Sequence, residues 1–251
     1  MLVRLLFISL LAASTFAGDL FDNWPAGKTE TLLYNINTIK PQKTSNSLKM
    51  TVTRTTAETP EFIIEQALDI INQGVSISVT ETYTGKDLQL TKTTNLFRFP
   101  PEATAQLGVD SLVITGTREG DSLDITSTLP RMVPPCKVAM DKELVTSSGS
   151  LLTTRNMEFK KGTTRTFRFV NLLVLTGQVY SPVEIIDSVA GEMQVTVPAG
   201  TFDCYKVKNT SPGGFGYSYY SKDKGHAPVR TELIDPATNE VVMEVVLTKR
   251  E

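Results

Sequence analysis

The single histidine, His226, is the residue through which any histidine-dependent mechanism has to pass. It follows Lys224-Gly225 and lies close to Ser221 and Asp223, the types a nucleophilic hydrolase would need. The chain lacks a Gly-x-Ser-x-Gly elbow. The nearest approach, Gly216-Tyr217-Ser218-Tyr219-Tyr220, misses the second glycine and reads as a strand. His226 therefore reads as an exposed turn residue, and no catalytic residue is assigned. A hydrolase using His226 is the third-ranked reading.

Metal chemistry finds little to work with. One histidine and two distant cysteines make no ordinary zinc cluster, and Asp19, Asp22 and Asn23 lack the spacing and glycine of a calcium loop. No phosphate-binding loop or dinucleotide fingerprint is present, so no cofactor is implied. Asp121 and Asp124 are acids beside a turn, where solvation is the ordinary role. The aromatic run Phe215, Tyr217, Tyr219 and Tyr220 is the better candidate for binding, because tyrosine joins an apolar body to a polar tip. Core packing is its plainer use.

Cys136 and Cys204 stand 68 positions apart. In an oxidising compartment they can form a disulfide, closing a loop worth about 3–4 kcal/mol. The alternative is two buried thiols, and spacing does not choose between them. Cys204 sits among β formers and aromatics, a setting that lowers no thiol pKa, so it reads as structural.

The elements that must position these residues are strands. Leu48, Met50 and Val52 alternate with polar neighbours, as do Val75, Ile77 and Val79, Leu123 and Ile125, Phe167 and Phe169, and Val241, Met243, Val245 and Leu247. Turn chemistry separates them at Asn72-Gln73-Gly74, Thr84-Gly85-Lys86-Asp87, Arg118-Glu119-Gly120-Asp121 and Asp235-Pro236-Ala237-Thr238-Asn239. The pattern predicts an all-β fold with minor helix: a curved antiparallel β-sheet, half-barrel or sandwich-like. Phe62 to Ile71 suits a strand better than a helix. Glu102 to Leu107 suits one helical turn after Pro100-Pro101. Residues 148–156 suit a short helix that caps an open end.

The first seventeen residues read as a signal peptide. Arg4 precedes the apolar run Leu5 to Ala13, and Ala17 offers the cleavage site. The run is too short for a membrane span, and no second apolar run follows. The expected mature chain, residues 18–251, forms one β-rich domain whose two halves meet near 130–137, at Pro130-Arg131-Met132-Val133-Pro134-Pro135-Cys136-Lys137. Its formal charge moves from −2 to −3 once Arg4 is lost, which leaves no electrostatic footprint for nucleic acid. The expected location is exported, periplasmic or secreted.

In Gly191 to Asn209, a strand enters Pro198-Ala199-Gly200 and leaves through Thr201 to Val207. Pro198 and Gly200 read as a structural turn of three residues with a left-handed glycine. That register puts Val195, Val197, Tyr205 and Val207 on one face, with Phe202 and Cys204 on the other.

Val197-Pro198-Ala199-Gly200-Thr201-Phe202 followed by Cys204-Tyr205-Lys206-Val207 resembles the signature of an exported bacterial family known only as a domain of unknown function. Tyr217 to Leu233 resembles that family's next hairpin. The resemblance implies a curved antiparallel sheet akin to the half-barrels of periplasmic lipoprotein carriers. It implies no activity and transfers no catalytic residue. The function expected is non-enzymatic: a concave sheet binding a lipid or other apolar or amphipathic ligand, or an envelope protein. The alternative is a structural or interaction domain without a cavity. An enclosed apolar pocket between the sheet and residues 148–156 favours the first, and a tightly filled interior would sink it.

Overall fold

The computed structural model describes residues 24–40, 43–56, 59, 61–85, 88–140, 144–172 and 182–251. The leader and the Asp19, Asp22 and Asn23 group lie outside the described residues.

The alternating segments form β1 (Thr29–Thr38), β2 (Thr44–Arg54), β3 (Glu61–Ile70), β4 (Val75–Thr84), β5 (Gln89–Arg98), β6 (Ser111–Glu119), β7 (Ser122–Ser127) and β8 (Cys136–Ala139). The second half holds β9 (Leu144–Val145), β10 (Thr164–Phe169), β11 (Val183–Val197), β12 (Gly200–Ser211), β13 (Gly214–Ser221), β14 (Pro228–Ile234) and β15 (Val241–Arg250). The fold is all-β, as the alternation predicts, with two short helices: α1 (Pro101–Leu107) and α2 (Ser147–Arg155). The segment at Phe62 is strand, followed by a single 3-10 turn at Ile71–Gln73. Prolines open α1, and Gly108 closes it with φ +73°.

All fifteen strands belong to one sheet, ordered β8-β7-β6-β5-β4-β3-β2-β1-β15-β14-β13-β12-β11-β10-β9. Two consecutive meanders are joined through the antiparallel pair β1–β15, and only the two-residue β9 runs parallel to its neighbour β10. The proline-rich segment at 130–137 carries the chain from β7 into its neighbour β8.

Register fixes which residues face inward. Leu48 opposes Tyr34, Met50 opposes Leu32, Val52 opposes Ile64, and Ile77 opposes Phe97, which opposes Leu112. All are buried, and they form the core of the first half. Bulges at Leu33/Tyr34, Thr82/Tyr83, Val189/Gly191, Tyr219/Tyr220 and Leu233/Ile234 bend the strands. The curl is measured by α2, which bonds to β1 and β10 and packs on Tyr83 of β4, strands far apart in the sheet order.

The β11–β12 hairpin corrects the turn expectation. Val197 pairs with Gly200, so the tip holds only Pro198 and Ala199, while Gly200 opens β12 at φ +133°, a positive φ that favours glycine as expected. Val195 therefore opposes Phe202, Met193 opposes Cys204, and Glu192 opposes Tyr205. Phe202 and Cys204 share the face of Val195 and Val197, while Tyr205 points the other way. One residue of slip exchanges the faces of a strand. Val195, Val197 and Cys204 pack in the main core with Tyr219, Val229 and Val246, and the Ala199 amide donates to the Leu247 carbonyl at 3.2 Å. The hairpin thus folds back over the outer face of β13 to β15. It is frame.

Candidate functional site in the sheet interior

Helix α2 does not cap an open end: it lies in the concavity. Ser148, Gly149, Ser150, Leu152, Thr153, Thr154 and Arg155 are all buried. A helix of Ser, Gly and Thr is a poor helix former, so tertiary contacts must hold it. Its threonines bond back into their own helix, Thr153 Oγ1 to the Gly149 carbonyl at 2.6 Å and Thr154 Oγ1 to the Ser150 carbonyl at 3.1 Å. That is how a polar helix tolerates burial. Gly149 is required by contact, since a Cβ there would collide with the Tyr83 hydroxyl and ring.

The first turn of α2 rests on a buried carboxyl. Glu81 accepts from the Tyr83 hydroxyl at 2.5 Å, the Thr146 hydroxyl at 2.7 Å and the Thr93 hydroxyl at 3.4 Å, and Asn95 supports Thr93 at 3.3 Å. Burial raises the Glu81 pKa, and the hydroxyl donors only partly offset it. Burial also pushes the Tyr83 hydroxyl well above its ordinary value.

The other end is held by ions. Arg155, 1% exposed in its side chain, pairs with Glu30 at 2.6 Å, and Arg250 Nε reaches the other Glu30 oxygen at 2.9 Å. Arg250 also pairs with Asp223, and Arg155 Nε donates to the Gly225 carbonyl. The Arg155 guanidinium lies 4.5 Å from the centre of the Trp24 ring. Carboxyl at the start and guanidinium at the end both complement the helix dipole.

Along its flank, α2 meets a polar row on the inner face of the second half. Arg165 Nη1 donates to the Thr153 carbonyl at 2.9 Å, and Arg165 lies directly across the β10–β11 pair from Asp187. Asn209 donates to Asp187 Oδ1 at 2.8 Å, and the Ser218 hydroxyl donates to Asn209 Oδ1 at 2.8 Å. Asp187 is fully buried, and burial pushes its pKa up to about 7, against the opposing influence of the Asn209 bond and Arg165.

The aromatic strand does not form one binding face. Tyr220 points inward against Met157, Val189 and Val207. Tyr219 points outward, buried beneath the folded hairpin, and donates to Glu232 at 2.7 Å. Phe215 and Tyr217 lie half-buried on the outer face, under Lys208 at 4.9 Å and Lys206 at 3.9 Å. Pro198 and Gly200 are remote from α2, at the hairpin tip.

His226 is half-buried, which corrects the exposed-turn reading. At φ +45° it packs on Phe159 at 4.8 Å and Tyr205 at 5.8 Å between centroids. Its Nδ1 donates to the Ser221 carbonyl at 2.9 Å, while the Ser221 hydroxyl donates to Asp223. Asp124 belongs to a surface pair with Lys137, whose hydrogen bond, with that of Ser122, holds its carboxyl below the ordinary range.

Cys136 and Cys204 are not joined by a disulfide. Cys204 is buried, and burial, with Asp203 and Asp223 adding, pushes its thiol up to about 12. Among the described residues no group of three or more His, Cys, Asp or Glu is placed to hold a metal, and no helix is long and apolar enough to cross a membrane. A cavity of about 530 Å³ lies elsewhere, between α1 and the neighbouring loops, lined by Thr104, Val109, Asp110, Val113 and Leu129.

Glu30, Glu81, Asp187, Asn209, Arg155 and Arg165 were all missed by sequence reasoning. A signal existed for the acids. Glu30 precedes Leu32, Tyr34 and Ile36 in the same alternation, Glu81 stands between Val79 and Tyr83, and Asp187 stands between Ile185 and Val189. A charge at an apolar parity position marks a buried polar site.

No protein-family model matches the chain, and the search of curated proteins returned no match, so the motif resemblance at Val197 to Val207 has no family model behind it. Among solved structures, the chain is similar to a β-barrel-like protein of the domain of unknown function DUF1849 from Brucella abortus, with TM-score 0.54 and 6% identity over 90% of this chain and 98% of that one. It also matches a provisionally assigned exported protein with a YmcC-like fold from Bacteroides fragilis, with TM-score 0.40 and 15% identity over 91% and 98%. A provisionally assigned lipoprotein from Parabacteroides distasonis follows, with TM-score 0.36 and 12% identity over 91% and 98%. Of these three, the first reaches the level of a shared fold: the chain has a β-barrel-like architecture.

Proposed function

We propose that the chain is an exported, non-enzymatic binding protein, periplasmic or secreted, that takes an apolar or amphipathic ligand, or an envelope partner, on the concave face of its sheet. The observation that supports this reading is the nature of α2. Apolar wall groups, Val145, Phe167, Phe169 and Ile185 together with Met157, Val189, Val207 and Tyr220, line the second half as separate clusters. What fills the space between the walls is a helix of small polar residues, tied by hydrogen bonds and ions. Lifting it would uncover apolar wall and withdraw only Leu152 of its described side chains from the main core. Against the hydrolase alternative stand the hydrogen bond that the Ser221 hydroxyl gives to Asp223 and the bond between His226 Nδ1 and the Ser221 backbone carbonyl.

A second reading has an observation of its own. The described residues of α2 are buried in the concavity, which suits a structural or interaction domain with no cavity. Native mass spectrometry with lipid extraction, on protein purified from the exported fraction, separates the two. Co-purifying lipid masses, or uptake of an apolar dye, are expected. Protein without bound lipid that takes up no dye establishes the structural reading instead.

A further inference from the structure

We infer that Arg165 and Asp187 form a headgroup site for a single-chain amphiphile carrying a carboxylate, and that the Thr153 carbonyl of α2 occupies part of it. The inference rests on the binding reading above and names its ligand chemistry.

The site is built across five strands. Arg165 on β10 faces Asp187 on β11, Asp187 faces Asn209 on β12, and Ser218 on β13 faces Thr231 on β14. Thr231 lies 3.3 Å from the Ser218 hydroxyl, which orients Asn209, which in turn orients Asp187. A chain of bonds that fixes each member in this way is pre-organised. It ends in an unspent group: Asp187 Oδ2 is buried and has no hydrogen-bond partner among the described residues. Such a group costs stability unless some state of the protein pairs it. Phe167 and Ile185 flank the row on one side, and Val189, Val207 and Tyr220 on the other. A narrow polar stripe in an apolar wall is the lining of an amphiphile site.

The charges decide which amphiphile. Asp187 is faced by Arg165 from β10, and the neighbouring Tyr220 of β13 lies near Arg155 of α2. Among the described residues no further carboxylate enters this balance, so an ammonium headgroup would meet guanidinium. An anionic oxygen meets donors. Arg165 already donates to an oxygen in this space, and Oδ1 of Asp187 is taken by the Asn209 amide, so the carboxyl proton belongs on Oδ2. Two donors then converge on a ligand oxygen. Ionisation of Asp187 removes one of them and adds a repelling charge, so carboxylate affinity falls as pH rises through about 7.

The test is binding of dodecanoate, dodecanol and dodecylammonium to the full exported chain at pH 6 and pH 8, with Asp187→Asn and Arg165→Gln alongside. Dodecanoate should bind most tightly at pH 6 and lose about tenfold by pH 8, since one added interaction between ionised groups is worth about a pKa unit. Asp187→Asn keeps a donor and should flatten that profile. Arg165→Gln should weaken dodecanoate about tenfold and leave dodecanol unchanged. If Arg165→Gln does not fold by circular dichroism, the Asp187→Asn profile decides alone. Equal binding of dodecanoate and dodecanol, unmoved by either variant, overturns the headgroup site and leaves the carrier standing. Preference for dodecylammonium overturns it through the sign of the charge. Failure of all three probes removes the carrier reading and the site together.

Discussion

The two ends of α2 are secured by opposite chemistries. At its C-terminal end, Arg155 and Arg250 share Glu30, and Asp223 balances the second arginine. At its N-terminal end, the partners of Glu81 among the described residues are hydroxyls, from Tyr83, Thr146 and Thr93. Breaking a buried ion pair strands a charge, which is costly. Withdrawing hydroxyls from a carboxyl that can take up a proton strands far less. The comparison assigns the ends different duties: the ionic end anchors the helix, and the hydroxyl end is where it can lift.

Removing the anchor should have the largest effect. Arg155→Ala leaves Glu30 buried with half its partners and should cost about 3–5 kcal/mol, read as a shift of the urea midpoint. A loss below about 1 kcal/mol would mean that Arg250 holds Glu30 alone and that the C-terminal end is no anchor.

Next comes the lifting end. Gly149→Ala forces a methyl group against the Tyr83 ring and should cost about 1–3 kcal/mol through overpacking. A neutral result would show that Tyr83 yields easily, which sharpens the assignment of this end as the mobile one.

Glu81 supplies a pH signature. Its folded pKa is raised, so the native state holds the proton more tightly than the unfolded chain. The stability this provides is complete below the unfolded carboxyl value, about 4.3, and is lost as pH rises through the raised folded value. For one proton the slope is at most about 1.4 kcal/mol per pH unit. Glu81→Gln should remove that slope, so the wild-type and variant urea midpoints should converge or cross as the pH is raised from 4. Parallel curves would show Glu81 to be indifferent to ionisation, and the contrast between the ends would collapse.

The smallest effect is expected above the anchor, at His226. Its ring packs on Phe159 and Tyr205, so His226→Ala should cost about 1 kcal/mol, where an exposed turn residue would cost about half that or less. An unchanged thermal midpoint would return His226 to the status of a bystander.

The strands were legible because alternation is a local signal, and the inward series Leu48, Met50, Val52 needs no partner to be seen. The helix at Ser147 to Arg155 was legible in position but not in depth. Burying a Ser/Thr-rich helix depends on back-bonds to its own carbonyls and on Glu81 and Arg165 arriving from remote strands. The hairpin at Pro198 was legible as a turn, yet its faces were exchanged, because a two-residue and a three-residue tip differ by a single register step. The cysteine pairing was beyond reach for a different reason: it depends on where β8 and β12 fall around the curl, which no spacing encodes. Most of the interior site was hidden in plain sight, as acids placed at apolar positions of otherwise regular strands.

The seam between β1 and β15 has a consequence for how the chain comes together. Thr31 and Glu251 exchange backbone hydrogen bonds at 2.9 Å, so the first strand is finished by nearly the last residues of the chain. Every other antiparallel pairing in the sheet links consecutive strands and can zip up as a hairpin; this one must wait for the whole polypeptide. This topology predicts two quick local events and one slow closure, with the loop entropy concentrated in a single step. Read as a ring, the spatial order β9 through β15, then β1 through β8, is the order of the sequence itself. A circular permutant that joins Glu251 to Thr29 by a short linker and is opened between Ala139 and Leu144 would make β15 and β1 consecutive strands and their pairing a local one.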